Sequence, residues 1–119
     1  MDTDLNVISQ IATRKEISPK LREALQQIVQ RRRAVQELQA QAAAKEAEIK
    51  AMGDDQDRIR KNMAALDKAS ALYKRYVTEL DRQETRLQTL RQEATALRKQ
   101  SIDADRELRA YLDGLTIAD

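Results

Sequence analysis

The sequence predicts an all-α fold: a long antiparallel two-helix coiled-coil hairpin with a short N-terminal helix packed at the open end. Three observations carry this. First, the 119-residue chain is 35% charged and 41% apolar but only 3% aromatic, with three Tyr and neither Phe nor Trp. Large rings usually supply much of a broad globular core. Two Gly and one Pro leave little punctuation for the turns of a β-rich fold. Second, two apolar stripes repeat at alternating spacings of three and four, which is how a coiled-coil seam reads in sequence. Third, a serine stands where each long helix should begin, ready to accept a hydrogen bond from an N–H that the helix leaves unpaired.

The elements follow in order. Thr3 and Asp4 can cap a short helix carrying Leu5, Ile8, Ile11 and Ala12 on one face, so residues 1–17 read as that helix and a linker. Ser18-Pro19 then opens the first arm, with Ser18 as cap and Pro19 at the first helical position, where its missing N–H costs nothing. The first stripe runs Ile17, Leu21, Ala24, Ile28, Arg31, Val35, Leu38, Ala42, Lys45, Ile49, Met52, Gln56, Ile59, Met63, Leu66. It passes through Gly53 without a slip, which places that glycine inside the helix at a cost of about 1 kcal/mol against Ala. Residues 67–70 read as the turn, with Ser70 capping the second arm. The second stripe runs Tyr73, Tyr76, Leu80, Gln83, Leu87, Leu90, Ala94, Leu97, Ser101, Ala104, Leu108, Tyr111, Leu115. Gly114 is expected just past the end, where a left-handed glycine commonly closes a helix. The hairpin therefore covers 18–115, with arms of about 19–66 and 71–113.

Folding back near Ala69 makes the stripes face each other. It sets Leu66 against Tyr73, Ile59 against Leu80, Met52 against Leu87, Ala42 against Leu97, Val35 against Ala104 and Ala24 against Leu115. Both arms then end together. Gln56 meets Gln83 in one polar layer, where the two amides can bond each other. Lys45 opposite Ala94 and Arg31 opposite Leu108 are accommodated if their aliphatic stems cover the partner while the charges reach water. A fold-back at Gly53 keeps heptad phase too, but strands much of the second arm. At ~1.5 Å per residue, arms of this size make a rod near 70 Å.

Near the open end, apolar residues spill beyond the seam: Leu25, Val29, Ile102, Leu112 and Ile117. The stripe is wider than a two-helix seam needs. The N-terminal helix is one candidate to cover it. A homodimer or a protein partner using Leu25, Val29, Ile102 and Leu112 is the other. At the turn end, Arg58, Arg60, Lys61, Lys68, Lys74 and Arg75 form a candidate basic tip, diluted by Asp54, Asp55, Asp57 and Asp67.

Chemistry is harder to place. With no Cys and no His there is no thiolate nucleophile, imidazole base or Cys/His zinc site. Glu46-Glu48 and Asp54-Asp55-Asp57 lack the twelve-residue pattern of a calcium loop and read as solvated faces. Arg31-Arg32-Arg33 point in different directions on a helix. The tyrosines fall on the seam, where rings pack. Glu79, Glu84, Arg75, Arg82, Arg86 and Arg91 supply charge pairs worth tenths of a kcal/mol. No nucleophile–base pair or phosphate loop can be assembled, so neither catalysis nor a cofactor or metal is expected. With 22 basic and 20 acidic residues, the net charge of +2 is not the footprint of a dedicated nucleic-acid binder. No stretch reaches the ~20 apolar residues of a membrane span.

Four runs look familiar: Lys15-Glu16-Ile17-Ser18-Pro19, Asp55-Gln56-Asp57-Arg58-Ile59-Arg60-Lys61-Asn62-Met63, Ser70-Ala71-Leu72-Tyr73-Lys74-Arg75-Tyr76 and Leu80-Asp81-Arg82-Gln83-Glu84. Together they resemble the C-terminal coiled-coil region of large bacterial proteins related to the mucoidy-inhibitor-like, domain-of-unknown-function group. The resemblance covers nearly the whole chain, and the Leu-Tyr-Lys-Arg-Tyr run is its most distinctive part. It implies a coiled-coil piece of a larger envelope or secreted protein, in a periplasmic or extracellular setting, and it transfers no catalytic residue. The function expected is a non-enzymatic structural or protein-interaction module. The alternative is a nucleic-acid-contacting arm that uses the basic tip, resembling the hairpin of some tRNA synthetases.

Overall fold

The computed structural model describes residues 18–115. They form two long helices, α1 (Pro19–Ala64, 46 residues) and α2 (Ala71–Gly114, 44 residues), and no strand among the described residues. The short N-terminal helix expected over 1–17, and Ile117, lie outside the described residues. Both helices are built from residues that lose little side-chain freedom in a helix (Ala, Leu, Gln, Glu, Lys and Arg).

Each end is set by a local hydrogen bond. Ser18 Oγ accepts from the Leu21 N–H at 3.1 Å, and Ser70 Oγ accepts from the Tyr73 N–H at 3.1 Å. Both serines thus satisfy donors that the first helical turn leaves open. At the end of α1, the Ala65 and Leu66 N–H groups switch to carbonyls three residues back, Asn62 and Met63. This tightening ends α1 at Ala64. Asp67 then organises the turn: its Oδ1 accepts from the Ala69 N–H at 2.9 Å and its carbonyl from the Ser70 N–H at 3.0 Å.

Gly53 sits within α1 with ordinary helical backbone. Gly114 differs from the expectation. It is the last residue of α2 and has no left-handed conformation, and the Leu115 N–H closes onto the Leu112 carbonyl at 3.2 Å. Leu115 is a half-buried seam residue. Keeping it in phase with Tyr111 requires the helical path to continue through Gly114.

The described chain divides into two compact units. The turn unit is Ala40–Leu97; the terminal unit joins the described residues up to Gln39 with those from Arg98 onward. Within each, an α1 segment packs on an α2 segment. In the turn unit the core is Ala42, Ile59, Leu87, Leu90 and Ala94; in the terminal unit it is Ala24, Ile28, Val29, Val35 and Leu108. Every buried residue except Val29 belongs to one of the two heptad stripes, and every described stripe residue is at least half-buried. Full burial of an aliphatic side chain contributes roughly 1.5–3 kcal/mol, so the stripes, with Val29 added in the terminal unit, account for the apolar stabilisation of both units.

Candidate functional site

Three places concentrate polar or apolar groups that the seam does not use up. The first is the glutamine layer of the turn unit. Gln56 and Gln83 are both buried, at 5% and 7% exposure. The sequence placed them face to face with a direct bond. Instead, each amide donates across to the carboxylate that follows or precedes its opposite number. Gln56 Nε2 donates to Glu84 Oε1 at 3.3 Å, and Gln83 Nε2 donates to Asp55 Oδ2 at 2.7 Å and to Glu79 Oε1 at 3.3 Å. A charged acceptor makes the stronger bond, which is why the neutral amide carbonyl loses the competition. The Gln83 Oε1 is buried with no partner. Hydrogen bonding from Gln83, and then from Arg58, holds the Asp55 carboxyl below its ordinary value. Arg82, at 2.7 Å, holds Glu79 below its own. The sequence reading missed these carboxylates; the places of Asp55 and Glu84 beside the glutamines, and of Glu79 one helical turn before Gln83, were the signal that could have found them.

Lys45 and Arg31, the two cations on the seam, are both half-buried. Lys45 Nζ reaches Glu93 Oε2 at 3.1 Å, as a stem that leads its charge outward should. Arg31 was expected over Leu108. Its guanidinium carbon lies 4.9 Å from the centre of the Tyr111 ring, one helical step away, where the ring face attracts a cation. Ser101, buried at 4%, turns its hydroxyl onto the Arg98 carbonyl at 2.8 Å and so needs nothing from the opposite helix.

The second place is the turn end. Arg58 pairs with Asp55 at 2.9 Å and Arg60 with Asp57 at 3.5 Å. Lys61, Lys68, Lys74 and Arg75 are exposed and have no carboxylate partner among the described residues. Asn62 Nδ2 donates to the Tyr76 hydroxyl at 3.2 Å and links the helices just behind the turn. A shallow hollow of about 340 Å³ lies between Met63, Leu66, Tyr73 and Leu80, with Arg60 and Lys68 at its rim. Tyr73 and Tyr76 are half-buried, so no exposed ring is offered to a nucleobase.

The third place is one face of the terminal unit. Ile102 and Leu112 are exposed, at 56% and 37%; Leu25 is half-buried and Val29 is buried. All four stand one residue past a seam position. In an antiparallel pair this rotates both stripes, by about 100°, to the same side. The hollow there, about 480 Å³, confirms the shared face: Arg32, Gln36 and Gln39 line it from α1, and Asp105, Arg109 and Leu112 from α2. The sequence singled out the apolar members and missed the polar ones between them, although the same one-residue offset finds both.

Among the described residues no group of carboxylates is arranged to hold a metal ion, and no helix is long and apolar enough to cross a membrane. The chain matches no protein-family model, no curated protein and no solved structure.

Proposed function

We propose that this chain is a non-enzymatic coiled-coil module that serves as a structural or protein-interaction element of a larger bacterial envelope or secreted protein, akin to the mucoidy-inhibitor-like group it resembles. In this reading a short helix over residues 1–17 packs at the open end of the hairpin, beside Leu25 and Val29. The observation that carries the interaction role is the face of the terminal unit. It keeps Ile102 and Leu112 in water although the same helix buries its seam leucine, Leu108. The described polar side chains mostly serve the fold: they cap helices, bridge helices or solvate faces.

The exposed cations Lys61, Lys68, Lys74 and Arg75, which have no carboxylate partner among the described residues, favour a second reading, a helical arm contacting nucleic acid. The two readings separate in a titration of labelled single-stranded RNA from low to physiological salt. The interaction module predicts no binding at low salt. Tight low-salt binding that falls steeply with salt and is lost in Lys68→Glu/Lys74→Glu replaces it with the second reading.

A further inference from the structure

The exposed face of the terminal unit has an internal symmetry. Its α2 members are Ile102, Asp105, Arg109 and Leu112, spaced three, four and three. That spacing is a short second heptad stripe, rotated about 100° from the buried seam. Read in either direction, its ends are apolar and its middle carries one acid and one base. Laid antiparallel on a copy of itself, the stripe sets Ile102 against Leu112, Asp105 against Arg109, Arg109 against Asp105 and Leu112 against Ile102. Every contact is then complementary, as a two-fold interface requires.

We propose that the partner of this face is a second copy of the chain, docked antiparallel through α2 about a two-fold axis that passes between Asp105 and Arg109. The proposal rests on the interaction-module reading above and names its partner. Arg109 is set up to bridge two molecules. Within the chain its Nε holds Asp105 Oδ2 at 2.9 Å, while its side chain is 76% exposed. The remaining guanidinium donors are therefore available to the partner's Asp105 in a forked arrangement. The hollow beside the stripe, floored by Val35 and Leu108, gives the incoming helix an apolar bed. Arg32, Gln36 and Gln39 form its polar flank. A parallel pairing would set Asp105 near Asp105 and Arg109 near Arg109, and like charges so placed repel. The stripe spans only about 15 Å of helix, so the dimer is a weak one.

Sedimentation equilibrium on four samples tests this: the native chain, Asp105→Arg, Arg109→Asp, and an equal mixture of the two variants. The native chain should dimerise. Each variant alone sets like charges across the axis and should self-associate at least tenfold more weakly. The mixture should recover a dimer, because all-basic then meets all-acidic. The swapped double variant, Asp105→Arg/Arg109→Asp, keeps both the internal pair and the complementarity and should dimerise as the native chain does. A native chain that stays monomeric up to several hundred micromolar overturns the proposal. So do single variants that dimerise unchanged, or a mixture that fails to recover. None of these outcomes alters the RNA titration, so a failure here is distinguishable from failure of the module reading itself.

Discussion

Gln83 has one buried polar requirement met twice over and another left unmet. Its amide nitrogen serves two carboxylates, Asp55 and Glu79, while its carbonyl oxygen is buried without a partner. An unmet buried acceptor costs on the order of 1–3 kcal/mol. Gln83→Leu removes that acceptor together with the two bonds, and its net effect at neutral pH should be small, within about 1 kcal/mol in either direction. Acid should reveal what the amide does. Asp55 is held below its ordinary value in the folded chain. Its contribution to stability is thus present above that ordinary value and is lost as pH falls through the lower folded one. Removing Gln83, the largest cause of the depression, should flatten the loss of stability below about pH 4. Urea titrations at pH 7 and pH 3 measure both effects. A polar layer of this kind also fixes register at little gain in stability, which gives Gln56 and Gln83 a reason to remain in a seam that apolar residues would fill.

At the scale of the helix, Gly53 gives the sharpest expectation. It sits inside α1, its backbone is helical, and a Cβ added there would meet nothing within 4 Å. Gly53→Ala should therefore raise stability by about 1 kcal/mol and the melting midpoint by a few degrees. Thermal unfolding followed by circular dichroism reads it, and an unchanged or lowered midpoint would place a bend or a contact at Gly53. The helices themselves were legible in the sequence because their causes are local. Ser18 and Ser70 mark starts that depend on the next three residues, and the heptad stripes state which side of each helix is buried. What escaped was set by competition between neighbours. The Gln56–Gln83 bond lost to Glu84 and Asp55, and Arg31 chose the Tyr111 ring. At Gly114 the demand of Leu115 for its seam position prevailed over the usual left-handed glycine. Each outcome depends on which of two adjacent groups is the better partner, and periodicity does not encode that choice.

At the scale of the whole molecule, the scarcity of aromatic residues and the abundance of charge follow from one cause. Where burial is confined to two narrow stripes, there is little interior for rings, and most residues must face water. The basic groups at the turn end and the exposed apolar residues, Leu72 and Val77 in the turn unit and Ile102 and Leu112 in the terminal unit, are left over after the fold has used its share. The candidate surfaces were legible to the extent that their residues broke the seam pattern. The hollow in the terminal unit was missed, although its polar lining stands at the same one-residue offset from the seam as Ile102 and Leu112. All of this depends on a single fold-back at residues 65–70 that lays the second stripe antiparallel on the first. Because the chain has no cysteine, two introduced thiols report that pairing directly. In dilute solution under mild oxidation, Ala42→Cys and Leu97→Cys should close a disulfide within one chain and Ala42→Cys/Leu66→Cys should not, because Leu66 lies beyond the end of α1, whose last residue is already about 33 Å from Ala42 along the helix. Efficient joining of the 42/66 pair, with 42/97 unlinked, would mean that the chain turns at Gly53 and would contradict the account.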